Sequence, residues 1–180
     1  MNKVIENPLI SILLSVYNDD KNIKKSIDSI LSQSYKNIEL LVIDDCSTDK
    51  TYEILKEIKD SRIRIFRNKD NLGLTKSLNI LINKSKGQIL ARQDSDDISL
   101  PTRLEVQLNK LYRLQLDGCT TRAYIKNSKR SIPRLSHLLP LSFVIKYKNP
   151  FIHGTLMVWK NVVIDVGMYD ENMEYAQDYK

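Results

Sequence analysis

Leu9-Ile10-Ser11-Ile12-Leu13-Leu14-Ser15-Val16 gives way at once to Tyr17-Asn18-Asp19-Asp20, and that step from apolar to polar decides the fold class. A nearly continuous apolar run of this length reads as a strand buried on both faces, as in parallel sheets covered by helices. Asp19 or Asp20 then caps a helix whose Ile23, Ile27, Ile30 and Leu31 share one face. The alternation continues: a strand at Ile38–Ile43, a helix capped by Thr48 or Asp49 with Tyr52, Leu55 and Ile58 inward, and a short strand at Arg62–Phe66. After the turn Asn71-Leu72-Gly73, Leu74, Leu78, Leu81 and Ile82 mark a helix ended by Lys86-Gly87. A strand follows at Gln88–Ala91. Pro101 suits the first turn of the next helix, with Leu104, Leu108 and Leu111 on its buried stripe. Such alternation predicts an α/β fold, a mostly parallel sheet with helices on both faces.

Beyond Leu116 the pattern weakens. Asp117–Leu141 reads as loop, edge strand or short helix, before a strand at Thr155–Trp159 and a short helix at Asn161–Val166 ended by Gly167. With no repeat, low-complexity tract or linker, residues 1–180 read as a single domain.

Composition excludes several classes. The hydrophobic fraction of 42% is that of a globular chain, not a disordered one. Leu9–Val16 is too short to span a bilayer and lacks the flanks of a signal peptide. Cys46 and Cys119 make neither a metal-ligand spacing nor a disulfide framework, so a reducing cytoplasm is the expected compartment. The net charge of +6 is uneven: residues 1–60 carry 8 basic and 11 acidic side chains, residues 61–180 carry 20 and 11. No acid occurs between Gly118 and Ile164, a span holding Arg122, Lys126, Lys129, Arg130, Arg134, Lys146, Lys148 and Lys160. That span suits phosphates or an anionic membrane surface, and no nucleic-acid motif accompanies it.

In an open α/β sheet, ligands sit outside the carboxyl ends of the strands. There the polar residues collect: Ser15-Val16-Tyr17-Asn18, Asp44-Asp45-Cys46-Ser47-Thr48-Asp49, Arg67-Asn68, and Asp94-Ser95-Asp96-Asp97. Crowded carboxylates resist ionising together unless a cation compensates them, and Asp94 and Asp96 at i and i+2 could hold Mg²⁺ or Mn²⁺ with positions left for phosphate oxygens. A ring at Tyr17 and a carboxylate at Asp45 suit a nucleotide base. No GxGxxG or GxxxxGK[ST] supplies a phosphate cradle, so the cation takes that part. Ser95 reads as a spacer, Asp97 as the cap of the following turn. An EF-hand register on Asp94, Asp96 and Glu105 fails at Ile98 and Ser99.

Pro8-Leu9-Ile10-Ser11-Ile12 to Tyr17-Asn18, Ser32-Gln33-Ser34-Tyr35, Val42-Ile43-Asp44-Asp45-Cys46-Ser47-Thr48-Asp49, Asn71-Leu72-Gly73-Leu74 and Ala91-Arg92-Gln93-Asp94-Ser95-Asp96-Asp97, in this order, resemble the family 2 glycosyltransferases. Shorter matches follow at Asn149-Pro150-Phe151-Ile152-His153 and Ala176-Gln177-Asp178-Tyr179. The resemblance implies a Rossmann-like GT-A fold and metal-assisted, inverting transfer of a hexose or N-acetylhexosamine. The donor it implies is a nucleotide sugar, expected to be UDP-linked, and the acceptor a glycan or lipid-linked molecule of cell-wall or polysaccharide biosynthesis. It casts Ser15, Tyr17, Asn18, Asp45 and Arg67 as donor contacts, Asp94 and Asp96 as ligands of metal and ribose-diphosphate, and Asp178 as general base. His153, before a strand on the acceptor side, joins the catalytic candidates. Members of the family usually continue well beyond the matching Asp, so the resemblance also implies an alternative: a truncated nucleotide-sugar-binding domain with little or no turnover. Gln177 stands where an acid is common. The expected place is the cytoplasm, peripheral to the inner face of the membrane.

Overall fold

The structure is a computed structural model and describes residues 6–125, 128, 130–133, 144 and 151–172. Its elements run β1 (Ile10–Val16), α1 (Ile23–Leu31), β2 (Ile38–Asp44), α2 (Thr51–Glu57), β3 (Ile63–Arg67), α3 (Leu74–Lys84), β4 (Ile89–Arg92), α4 (Arg103–Leu114), β5 (Gly118–Cys119), β6 (Ala123–Tyr124), β7 (Ser131–Ile132), a 3₁₀ turn (His153–Thr155), β8 (Met157–Trp159) and α5 (Lys160–Asp165). One sheet takes the order β3-β2-β1-β4-β8-β5, and β6 and β7 form a separate hairpin.

Both faces of the sheet are covered, as the unbroken apolar runs predict. Ile10, Ile12, Leu14 and Val16 enter one cluster with Ile23, Ile27 and Ile30 of α1, Leu55 of α2, and Leu104, Leu108 and Leu111 of α4. Leu13, Leu41, Ile43 and Leu90 point the other way, onto Leu78, Leu81 and Ile82 of α3. Period-2 alternation in the strands therefore sorts the helices between the two layers. β1 to β4 pair in parallel, whereas β8 runs antiparallel to β4 and β5. The antiparallel β8 brings the residues just before it to the rim where β1 to β4 end.

Several local expectations change. Neither Asp19 nor Asp20 caps α1, whose N-cap is Asn22; Asp19 Oδ1 instead accepts from Asn22 Nδ2 at 2.7 Å. Pro101 stands outside α4, one residue before its N-cap Thr102. Tyr52 packs under Arg67, 4.2 Å from ring centroid to guanidinium carbon, more than into the core. Gly87 does not terminate α3, which ends at Lys84 with Ser85 as C-cap. A glycine is needed there because a Cβ would lie 2.5 Å from the Leu9 carbonyl and 2.6 Å from Ser11 Oγ.

At the amino ends of the strands a polar network is buried among apolar neighbours. Ser11 faces Glu39 across β1 and β2 and donates from Oγ to Oε1 at 2.6 Å; the Lys86 amide donates to the same oxygen at 2.5 Å and Arg64 to Oε2 at 3.0 Å. The Gly87 amide donates to Ser11 Oγ at 2.8 Å. Burial alone would raise the Glu39 pKa, but the bonds from Ser11, Lys86 and Arg64 outweigh it and hold the carboxyl below its ordinary value. A depressed carboxyl contributes stability above its unfolded pKa, lost as pH falls through the folded one. Glu39→Gln is expected to cost about 1–3 kcal/mol at pH 7 in urea unfolding. It should also flatten the decline of stability between about pH 5 and 3. Equal stability at pH 7 with an unchanged acid slope would show that the network contributes nothing.

Candidate active site

The loops leaving β1, β2 and β3 are tied to one another side by side. Asn18, in the left-handed region at φ 51°, receives the Thr48 amide on Oδ1 at 2.8 Å and donates its own amide to Ser47 Oγ at 2.9 Å. The N-cap of α2 is Lys50, neither Thr48 nor Asp49; Asp49, one residue earlier, accepts the Thr51 amide at 2.9 Å and the Asp20 amide at 3.1 Å and so braces the loop before α1. Tyr17 stands out from this frame with 49% of its surface exposed, while Ser15 is half-buried in β1.

The two acids closing β2 are both buried and both engaged. Asp44 meets Arg67, whose Nε lies 3.0 Å from Oδ2 and whose Nη2 donates to the Ser47 carbonyl at 3.1 Å. Asp45 accepts from Asn68 Nδ2 at 2.7 Å, from the Leu72 amide at 2.9 Å and from the Gly73 amide at 2.8 Å. Its carboxylate thus shapes the loop 68–73. Arg67, clamped between Asp44 and the Tyr52 ring, gives the rim a fixed positive charge.

The acidic turn is built on buried polar groups below it. Gln93 donates from Nε2 to Ser26 Oγ at 3.0 Å and to the Asp97 carbonyl at 2.8 Å, and accepts on Oε1 from Ser99 at 2.7 Å and Arg103 at 3.0 Å. Arg103, on the buried face of α4, also donates to the Arg92 carbonyl at 2.7 Å. Burial lowers the Arg103 pKa to about 10 against the opposing charges of Asp97 and Asp94. Arg92 Nη2 donates to Asp94 Oδ1 at 2.5 Å. Ser95 is more than a spacer: its Oγ donates to Asp19 Oδ2 at 2.7 Å and ties the turn to the loop before α1.

Asp97, expected to cap the following turn, has its carboxyl turned elsewhere. Its carboxyl faces Gly154 together with that of Asp94: a Cβ on Gly154 would lie 2.4 Å from Asp94 Oδ2 and 3.2 Å from Asp97 Oδ2. Though Asp97 is exposed as a residue, the protein crowding its carboxyl, then the charges of Asp94 and Asp96, raise its pKa, with Arg103 opposing. The Asp94 carboxylate thus packs against Gly154 with that of Asp97 close by, and hard, mutually repelling carboxylate oxygens of this kind suit a small divalent cation. Among the described residues no three such side chains close into a complete cage. Mg²⁺-type sites need only one or two carboxylates when phosphates supply other ligands. A cavity of about 500 Å³ opens beside Asp96, Asp97 and Gly154, with Arg122 and Tyr124 on its far wall.

His153 arrives at the same rim through the 3₁₀ turn before β8. Its Nε2 lies 2.9 Å from Tyr169 Oη, the rings edge to face at 5.3 Å. Asp178, Gln177, Lys126, Lys129, Arg134, Lys146 and Lys148 lie outside the described residues. The reading of the sequence missed Gln93, Arg103 and Gly154. Only Arg103 left a trace, as a cation one position before Leu104 on an otherwise apolar helix face.

The sequence profile of Glycosyl transferase family 2 matches residues 11–172. The chain belongs to glycosyltransferase family 2. Among curated family relatives, the O-antigen biosynthesis glycosyltransferase WbnJ of Escherichia coli is 36% identical over 170 residues, covering 87% of this chain and 63% of its own length. WfaP of Escherichia coli, named as a UDP-Glc:alpha-D-GlcNAc-diphosphoundecaprenol beta-1,3-glucosyltransferase, is 40% identical over 101 residues, 56% of this chain and 40% of WfaP. Residues 1–349 of TarS from S. aureus, solved in complex with UDP, superpose with a TM-score of 0.80 at 21% identity over 94% of this chain and 52% of that one. The mannosyltransferase PcManGT of Pyrobaculum calidifontis, solved with GDP-Man and Mn²⁺, gives 0.76 at 18% identity over 92% and 48%. These likenesses show that the family 2 chain has the GT-A fold. It spans roughly half to three-fifths of the length of the relatives that match most of it. Among the described residues no helix is long and apolar enough to cross a membrane.

Asp45→Ala is expected to release the Leu72 and Gly73 amides and lower stability by about 1–3 kcal/mol. Hydrogen exchange should accelerate at those two amides while the amides of β1 keep their protection relative to global unfolding. Protection retained at both would show that Asp45 does not hold the loop.

Proposed function

We propose that this chain, as one domain over residues 1–180, carries the donor site of an inverting, nucleotide-sugar-dependent glycosyltransferase. The observation that carries the reading is the acidic turn Asp94–Asp97 at the carboxyl end of β4, braced from below by Arg92, Gln93 and Arg103. The UDP complex of TarS supports a UDP-linked donor. The exposed ring of Tyr17 stacks on the base, and Ser15, Asn18 and Arg67 line its approach. Asp45 acts on the base and ribose from the loop it holds. Mn²⁺ or Mg²⁺, held by Asp94 with Asp96 and Asp97, would supply positive charge to the departing diphosphate.

In the transfer, an acceptor hydroxyl oxygen attacks the anomeric carbon from the face opposite the diphosphate. The new C–O bond forms as the bond to the diphosphate breaks, the configuration inverts, and Asp178 takes the hydroxyl proton. His153 belongs to the acceptor side of the rim, where its bond to Tyr169 orients the ring. The acceptor is a glycan or lipid-linked sugar of polysaccharide biosynthesis. The name of WfaP and the run of bases between Gly118 and Ile164 support an acceptor bearing phosphate. The same run suits contact with an anionic inner membrane face.

Thermal melting with UDP, UDP-sugars and GDP-mannose, each with and without Mn²⁺, tests the reading. A ligand at 100 times its Kd adds about 2.7 kcal/mol to the folded state. For a chain of this size that raises Tm by about 5–10 °C. The expected result is such a shift with a uridine nucleotide and Mn²⁺ together, lost in Asp96→Ala. No shift with any nucleotide, or one equal in Asp96→Ala, would overturn it.

A further inference from the structure

Arg92 is the last residue of β4, and its side chain is only 3% exposed. A guanidinium so deeply buried needs charge compensation and partners for its donors. Here it has one carboxylate, that of Asp94, at 2.5 Å from Nη2, while among the described residues Nε and Nη1 have no hydrogen-bond partner. The free space beside it, bounded by Leu13, Leu90, Leu156, Val158 and Tyr169, is about 10 Å³. No nucleotide group fits a gap of that size, which holds about one water. Arg92 therefore acts on a ligand only through Asp94, whose own side chain is 39% exposed.

We propose that Arg92 is a positioning residue: its buried guanidinium holds Asp94 by Oδ1 and so fixes Oδ2 against Gly154, beside the Asp97 carboxylate, as the oxygen offered to a divalent cation. This rests on the donor-site reading above. Of its donors only Nη2 meets a side-chain acceptor among the described residues, so the polar contact that the buried guanidinium makes through its side chain is the one with Asp94. Removing one member of a buried ion pair is costly chiefly when the other charge is left buried. Asp94, left alone, retains its contact with water. Arg92→Met is thus expected to lower Tm by no more than a few degrees, leaving a folded chain, and yet to weaken the cation site. Loss of a partner that orients a metal ligand costs about 10- to 100-fold in affinity.

The experiment is calorimetric titration of the chain with Mn²⁺, in the absence and presence of UDP, well below Tm. The expected result is a Kd for Mn²⁺ about 10-fold or more higher in Arg92→Met than in the unaltered chain. In an Asp94→Asn background, Arg92→Met should add no further loss. A Kd unchanged by Arg92→Met overturns the inference while leaving the donor-site reading in place; no Mn²⁺ binding by the unaltered chain overturns both. If Arg92→Met does not fold, Arg92→Lys decides by the same titration. Lysine keeps the charge without the planar fork, so a Kd a few-fold higher is expected and an unchanged one overturns the inference.

Discussion

Gln93 leaves β4 with its side chain wholly buried, and both ends of its amide are used. Nε2 lies within hydrogen-bond distance of Ser26 Oγ and the carbonyls of Asp94 and Asp97; Oε1 receives Ser99 and Arg103. Through that one side chain the acidic turn is joined to α1 and to α4. A buried amide lacking any of these partners would be costly, so the turn has little freedom to move apart from the helices beneath it. The position of the acidic turn on the rim depends on this attachment.

The same rim shows how a sheet can present negative charge without unfolding. Asp94, Ser95, Asp96 and Asp97 stand over Arg92 and Arg103, so part of their charge is balanced from inside the protein. The remainder is visible in Asp97, whose carboxyl is pushed upward by its surroundings and its neighbours. At β2 the acids are engaged differently: Asp44 is paired with Arg67, and Asp45 accepts from three neutral donors. The two acidic loops are thus different in kind: one is a braced wall, the other carries surplus charge.

The strands and helices as far as Leu114 were legible because each apolar run has a single period and each change of period is marked by a polar cluster. The list of rim residues was legible too, since strand ends can be read from the point where the apolar run stops. Their roles were less so. Adjacent Asp44 and Asp45 look alike in sequence, and no local pattern shows that the Asp45 carboxylate holds the loop through Asn68, Leu72 and Gly73. Asp97 reads locally as the cap of the following turn; what its carboxyl faces is Gly154, more than fifty residues away in the chain.

By itself, then, the sequence determined the α/β class, the two-faced burial of β1 and the position of the acidic turn, because apolar periodicity is a local property of the chain. Only the tertiary structure decided that β8 runs antiparallel, which delivers His153 and Gly154 to the rim. It also decided which acids are balanced, by Arg67, Arg92 and Arg103, and which are not. These are long-range pairings, and their free energy comes from burying charge against a partner that no local pattern identifies.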